Sequence, residues 1–335
     1  MMKFILFSAR EDEKAAIASY QKNHPEIELD IYTDHITEET MPYIKKGYDG
    51  IIASQVPAIP EAAYHLMKEA GIKVFATRSA GFDMYNLKLL KELGIRFTRV
   101  PVYSPFAISE FAFTSAMYFS RDIDVIQKNN KVGDFLFTDD NTSTEIRHKT
   151  VGIIGTGHIG RQTAQLFKST GAKVIGYDVY PCKEAEDILT YVSSIEELVE
   201  QSDVISLHAP ATPEDYHLFD KKLFARAKNN LILVNTARGS LVDTEALLDA
   251  LDNNQIRAAA VDTYEFEGPY VNRKVNLEDV TDKVFLRLLK HDRVLYSPHL
   301  AFHTHTALEN LVHIALEGAR RILQGEEVKE ELKLD

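Results

Sequence analysis

The chain has 335 residues, 45% of them hydrophobic and 26% charged, a globular balance long enough for two domains of ordinary size and far from that of a disordered chain. Its 38 basic and 50 acidic residues leave a formal charge of −12, which repels nucleic acid and anionic lipid, so an anionic ligand has to be captured locally. One cysteine, Cys182, excludes an intrachain disulfide, no Cys/His cluster has metal spacing, and the apolar run Phe4 to Phe7 is too short for a secretory leader or a membrane span. The expectation is a protein of the reducing cytoplasm with no nucleic-acid, membrane or metal partner.

In chain order, KFILFSA (3–9), IELDIYT (27–33), YDGIIAS (48–54), KVFATRS (73–79) and IRFTRVPVY (95–103) read as strands that alternate with helix-like stretches, the rhythm of a parallel sheet covered by helices. YSPFAISEFAFTSAMYFSRDIDVIQ then offers Ser104 as an N-cap and Pro105 at the first helical position. Its residues Ile108, Phe111, Ala112, Ser115, Phe119, Ile123 and Ile126 fall at helical spacing, which predicts one long helix crossing between domains. After a polar stretch to Lys149 the alternation resumes: TVGIIGTG (150–157), KVIGYDV (173–179), VISLHAP (204–210), NLILVNTARG (230–239), RAAAVDTYE (257–265) and VLYSPHL (294–300). These six strand-like runs match a complete doubly wound sheet, and one closing helix is expected at about residues 303 to 324. No fixed-period repeat or low-complexity segment appears.

Gly155, Gly157 and Gly160 obey G-x-G-x-x-G between the run VGII and a stretch carrying Ile159, Leu166 and Phe167 on one helical side. Alone, such glycines could merely turn the chain. KVIGYDV, however, carries Asp178 at its end, eighteen residues beyond Gly160 and just before Val179, where a carboxylate accepts from both hydroxyls of a ribose. The helix N-terminus at His158 and Ile159 would present free N–H groups to a pyrophosphate. Strand, turn, helix and acid together point to a dinucleotide, and because the acid repels a 2′-phosphate, to NAD rather than NADP.

The chemistry has to come from polar side chains at strand ends. Arg238 follows NLILVNTA, Glu267 follows AAAVDTYEF and His299 follows VLYSP. Each taken singly reads as an ordinary solvated or structural residue; at the carboxyl ends of strands of one open α/β sheet, the three converge on a crevice that suits a small substrate.

GTGHIGRQTAQLFKSTGAKVIGYD, LHAP, VNTARGSLVDTEAL, VDTYEFE and SPHLAF resemble the NAD-dependent D-2-hydroxyacid dehydrogenases, and VPVYSP with FLRLLKHDRVLYSPHLAF most resembles their D-lactate dehydrogenase branch. The likeness spans nearly the whole chain. It implies an α/β fold of two doubly wound parallel-sheet domains, a Rossmann cofactor domain (104–299) inserted in a discontinuous flavodoxin-like substrate domain (1–103 and 300–335). It further implies that Arg238, Glu267 and His299 are catalytic: His299 exchanges a proton with the substrate oxygen, Glu267 holds the ring and favours its cation, and Arg238 binds carboxylate or carbonyl as a planar fork. Nucleotide contacts fall on His158, Ile159, Asp178, Ala209, Pro210, Thr236, Ala237 and Asp262 beside the three glycines. Backbone N–H groups of Ala80 and Gly81, in RSAGFD, would grip the substrate carboxylate, with Ser54, Tyr103 and Phe302 lining the pocket.

By the same resemblance the reaction is the NAD-dependent reduction of a small 2-keto acid, pyruvate to D-lactate, by a homodimer. The apolar stretch Phe135 to Phe137 reads equally as a dimer arm or as a local loop cluster. Three residues depart from the pattern: Phe106 stands in place of an asparagine, Leu300 in place of a threonine, and Ser54 where the branch commonly has a pocket tyrosine. The last predicts tolerance of larger branched or aromatic 2-keto acids, unless Tyr103, Phe302 or Phe82 fills the space. Two other readings are an NAD-sensing, corepressor-like interaction protein, disfavoured because no Pro/Ser-rich tail or peptide-docking extension is present, and a regulatory subunit of the phosphoglycerate dehydrogenase type, for which little sequence follows SPHLAF.

Overall fold

The computed structural model describes residues 1–335 except Val56, Asp83, Leu334 and Asp335. The chain divides into two compact units, one of Met1–Ser104 with His303–Asp335, the other of Pro105–Phe302.

In the first unit, β1 (Met2–Leu6), β2 (Ile27–Ile31), β3 (Gly50–Ala53), β4 (Val74–Thr77) and β5 (Arg96–Thr98) form an all-parallel sheet in the order β2-β1-β3-β4-β5. β3 and β4 are wholly buried, as continuous apolar runs covered on both faces must be. Ile5, Phe7, Ile51, Phe75 and Phe97 are fully or almost fully buried and share one core. β5 stops at Thr98, well short of Tyr103: the next N–H groups go elsewhere, that of Arg99 to the Glu330 carbonyl and that of Val100 to the Ser79 carbonyl, and Pro101 has none to give. Its free edge is covered by the C-terminal segment: the Leu332 N–H donates to the Phe97 carbonyl (3.0 Å), Thr98 pairs antiparallel with Glu331, and Arg96 grips the Glu331 carboxylate at 2.7 and 2.6 Å. The closing helix, His305–Leu323, starts where Thr304 accepts from the Ala307 N–H.

The second unit carries β6 (Thr150–Ile154), β7 (Lys173–Tyr177), β8 (Thr190–Tyr191), β9 (Val204–Leu207), β10 (Ile232–Asn235), β11 (Ala258–Val261) and β12 (Val294–Tyr296), in the order β12-β11-β10-β9-β6-β7-β8. Six strands were expected and seven are found: β8, two residues long, pairs with Ile175 and Gly176 of β7 and is too short to show a periodic pattern. Every pairing is parallel and the direction of winding reverses between β6 and β9, so the carboxyl ends open along one edge around that switch point.

The single long helix expected from residue 104 is in fact two, Pro105–Ser120 and Ile123–Lys131. The break lies at Asp122, whose φ of 50° is left-handed, and Arg257 holds it by donating to the carboxylates of Asp122 (3.0 Å) and Asp124 (2.9 Å). The first of these helices packs on His158–Ser169, where Ser109 donates to the Ile159 carbonyl and the Phe113 and Phe167 rings meet at 5.0 Å.

Candidate active site

The three motif glycines answer to three different requirements. Gly155 has a φ of +88°, and a Cβ there would lie 2.5 Å from the Ala209 amide nitrogen, so the turn rests against the loop after β9. A Cβ at Gly160 would lie 1.9 Å from the Gly155 carbonyl oxygen, so only glycine lets helix and turn close on each other. At Gly157 a Cβ would meet nothing within 4 Å: this position faces open space, where a bulky group can approach the backbone. Gly157 is also the N-cap of helix His158–Ser169 and has no capping side chain, which leaves the first N–H groups, those of His158 and Ile159 among them, for an external acceptor.

Asp178 stands just past β7. Its Oδ2 accepts from the Thr156 N–H (2.6 Å) and Thr156 Oγ1 (3.0 Å), and its Oδ1 from the Tyr180 N–H (2.9 Å). The plane of the carboxylate is thereby fixed while Oδ1 keeps accepting capacity for a ribose hydroxyl. Beyond β9, Ala209 is half-buried and Pro210 exposed; beyond β10, Thr236 and Ala237 are buried, and Thr236 Oγ1 has no hydrogen-bond partner among the described residues. An open glycine, an uncapped helix start, an oriented acid and an orphaned buried hydroxyl are the donor and acceptor set of a dinucleotide, and the residues fit NAD.

His299 follows β12 with a φ of 56°, a left-handed conformation that costs a non-glycine residue about 1–2 kcal/mol. Its N–H donates to the carbonyls of Asp262 (2.7 Å) and Ser297 (3.0 Å). The buried Asp262 carboxylate holds the other side of the turn, accepting from Ser297 Oγ (2.5 Å), Leu300 N–H (2.9 Å) and Ala301 N–H (3.1 Å). Burial raises the Asp262 carboxyl above the usual carboxylate range and these bonds oppose the rise. Three acceptor positions of Asp262 are therefore occupied within the loop, and its main visible role is to brace His299.

The His299 ring meets Glu267 through Nδ1 and Oε1 at 2.6 Å, while Glu267 Oε2 accepts from the Tyr264 N–H at 3.0 Å. The Glu267 N–H donates back to the Tyr264 carbonyl, so the acid is set by its own turn after β11. With Nδ1 engaged, Nε2 is the nitrogen left to exchange a proton with a substrate. Phe302 stands edge-on to the imidazole, centroids 6.4 Å apart. Arg238 is exposed at the end of β10 and among the described residues donates once, from Nη1 to the Ala237 carbonyl (2.8 Å), which leaves the rest of its fork for an anion. A Cβ on the next residue, Gly239, would lie 2.2 Å from the Tyr264 carbonyl carbon, so the arginine loop and the glutamate loop stack backbone on backbone.

Sequence reasoning overlooked two participants. His208, after β9, shares a hydrogen bond with Ser206 Oγ (2.9 Å), and burial pushes its imidazole down to about 3, so it is neutral. Tyr191 bonds Thr156 Oγ1 (2.7 Å), stiffening the hydroxyl that orients Asp178. Asp262 was expected as a nucleotide contact and nothing in the pattern shows its bracing of the turn. Of the expected pocket residues in the first unit, Ser54 is half-buried after β3, Tyr103 is half-buried with its carbonyl accepting from Asn310 Nδ2 (2.5 Å), and Ala80 and Gly81 lie on the loop after β4.

A dinucleotide fold whose strand ends carry a carboxylate–histidine dyad beside an arginine defines a nicotinamide-dependent dehydrogenase. Residues 113–301 match the family model of the D-isomer specific 2-hydroxyacid dehydrogenase NAD-binding domain, and the chain belongs to that family of NAD-dependent oxidoreductases. It is 44% identical over 333 residues to a D-lactate dehydrogenase of Treponema pallidum, covering 99% of this chain and 100% of that one. A crystal structure of a D-lactate dehydrogenase from Treponema pallidum superposes with a TM-score of 0.92 at 43% identity, covering 99% and 100% of the two chains. The NAD+ complex of a Lactobacillus jensenii D-lactate dehydrogenase gives 0.92 at 35% identity over 99% and 100%, and a D-2-hydroxyisocaproate dehydrogenase gives 0.90 at 35% over 99% of each.

Proposed function

We propose that the protein reduces pyruvate to D-lactate at the expense of NADH, with Arg238, Glu267 and His299 as its catalytic residues. The observation that carries this reading is the 2.6 Å contact of His299 Nδ1 with Glu267, built on a strained turn at the carboxyl edge of an NAD-binding sheet. NADH, when bound, supplies the hydride that the keto carbon accepts. His299 gives its Nε2 proton to the keto oxygen as that oxygen gains charge, and Glu267 holds the cationic ring before transfer and the neutral ring after it. Arg238 pairs with the carboxylate or carbonyl of the 2-keto acid, and the N–H groups of Ala80 and Gly81 bind the other carboxylate oxygen. Asp178, Thr236, Ala209, Pro210, Ala237 and Asp262 contact the nucleotide.

The relatives named D-lactate dehydrogenase support pyruvate as substrate. A larger 2-keto acid is the second reading, favoured by Ser54 and by the likeness to a D-2-hydroxyisocaproate dehydrogenase. Phe135, Leu136 and Phe137 are 74, 70 and 101% exposed, an apolar segment that suits burial in a homodimer rather than a local cluster. Among the described residues no helix is long and apolar enough to cross a membrane, and with a single cysteine we place the enzyme in the cytoplasm. Absorbance of NADH against a panel of 2-keto acids tests the assignment. Turnover of at least one at an ordinary enzymatic rate of about 1 per second or more is expected, whereas oxidation too slow to account for an enzyme with any of them would leave the NAD-sensing interaction protein as the better reading.

A further inference from the structure

The loop Ser79–Phe82 follows β4 in the first unit, and its carbonyls are all engaged. The Ser79 carbonyl accepts from the Val100 N–H (3.0 Å), the Ala80 carbonyl from Arg99 Nη1 (2.9 Å), and the Gly81 carbonyl from Ser79 Oγ (2.7 Å). The N–H groups of Ala80 and Gly81, by contrast, have no acceptor among the described residues. A trans peptide points its C=O and its N–H in opposite directions. Fixing the Ser79 carbonyl therefore aims the Ala80 N–H, and fixing the Ala80 carbonyl aims the Gly81 N–H.

The first of these clamps is a backbone contact; the second is made by a side chain that no motif marks. Arg99 is the first residue past β5, its own N–H tied to the Glu330 carbonyl at 3.1 Å, and its guanidinium also lies 5.0 Å from the centroid of the Phe82 ring. It thus holds the loop on both sides of the Gly81 N–H, through a carbonyl before it and an aromatic face after it. The bond is charge-assisted, so it polarises the Ala80–Gly81 peptide and makes that N–H a stronger donor to an anion. Ser79 Oγ is held in turn: since its hydrogen goes to Gly81, it accepts from Thr77 Oγ1 (2.8 Å), and Thr77 accepts from the buried Tyr85 hydroxyl (3.0 Å).

We propose that Arg99 is a positioning residue for substrate carboxylate binding, aiming and polarising the Gly81 N–H without touching the substrate. The proposal rests on the reading that Ala80 and Gly81 hold the carboxylate of a 2-keto acid. Arg99 then acts on affinity for the carboxylate and not on hydride or proton transfer. The full-length enzyme is compared as Arg99, Arg99→Lys, Arg99→Gln and Arg99→Met, with KM and kcat measured for pyruvate, for its neutral methyl ester, and for NADH. Arg99→Met should raise the KM for pyruvate about 5- to 20-fold, with kcat and the NADH KM within twofold and the preference for pyruvate over its methyl ester reduced. Arg99→Lys, cationic and still a donor to the Ala80 carbonyl, should recover most of the loss, and Arg99→Gln only part of it. Equal losses with pyruvate and its ester, a fall confined to kcat, or an unchanged KM would overturn the role of Arg99 while the keto-acid reading stands. Failure of the parent enzyme to reduce any 2-keto acid would overturn the reading itself. Should Arg99→Met not fold, the Lys and Gln variants carry the same comparison.

Discussion

The dyad of His299 and Glu267 can be taken apart with a calculable result. Glu267 accepts from the ring at 2.6 Å and from the Tyr264 N–H at 3.0 Å. Bonds to charged groups contribute about 1.5–3 kcal/mol. The 2.6 Å distance argues for the upper part of that range, and the partial exposure of the two side chains, 34 and 23%, pulls it back by solvent screening. A value near 2 kcal/mol corresponds to a factor of about 30. Glu267→Ala should therefore lower kcat/KM for pyruvate by about 30-fold. Glu267→Gln keeps one acceptor oxygen for two N–H donors and turns an amide toward the other, so roughly tenfold is expected. Steady-state NADH oxidation reads both losses, with NADH binding by fluorescence as the control and His299→Ala, at a loss of about 10²-fold or more, as the floor. Variants within threefold of the parent would mean that Glu267 does not serve the proton step.

Three further outcomes are expected. Asp178 should give NADH at least about a tenfold advantage over NADPH, about 1.4 kcal/mol, and Asp178→Ala should narrow it; equal efficiency of the parent with both cofactors would refute the ribose assignment. Burial holds His208 near 3 in the fold, against about 6.5 unfolded, so the unfolded chain takes up a proton that the fold refuses. The sign follows: stability is complete above about pH 6.5 and falls as pH drops toward 3, by up to about 1.4 kcal/mol per pH unit. Melting temperatures at pH 7.5 and 5.5 should differ more for the parent than for His208→Gln, and an equal drop would contradict a buried neutral ring. If Ser54 lines the pocket, each added methylene of a 2-keto acid is worth about 0.8 kcal/mol, so catalytic efficiency should hold or rise from pyruvate to 2-ketobutyrate and 2-ketoisocaproate, and Ser54→Tyr should restore a preference for pyruvate; a steep decline that the substitution leaves unchanged would place Ser54 elsewhere.

What could be seen in the sequence was local or periodic. Gly155, Gly157, Gly160 and Asp178 sit within one βαβ unit, so spacing alone brings them together, and Arg238, Glu267 and His299 each follow an apolar run that a parallel sheet must end on the same edge. The helix break was hidden because the apolar spacing runs on through Ile123 and Ile126, while the residue that stabilises the left-handed Asp122, Arg257, is 135 positions away. Strand β8 is an edge of two residues and carries no pattern. The clamp made by Arg99 and the bracing role of Asp262 left no mark because both act largely on backbone: Arg99 donates to the Ala80 carbonyl, and Asp262 accepts from the Leu300 and Ala301 N–H groups as well as from Ser297 Oγ. The glycines were read as a unit, whereas the fold gives them separate tasks, and of the three only Gly157 has open space where a Cβ would stand.

The central claim is that this dyad protonates a keto oxygen while hydride arrives on one face of the substrate, and the product's configuration tests that most directly. Pyruvate and NADH should be converted in equal amounts, and chiral chromatography of the product should show D-lactate alone. L-Lactate, a racemate, or NADH consumed without lactate would contradict the account.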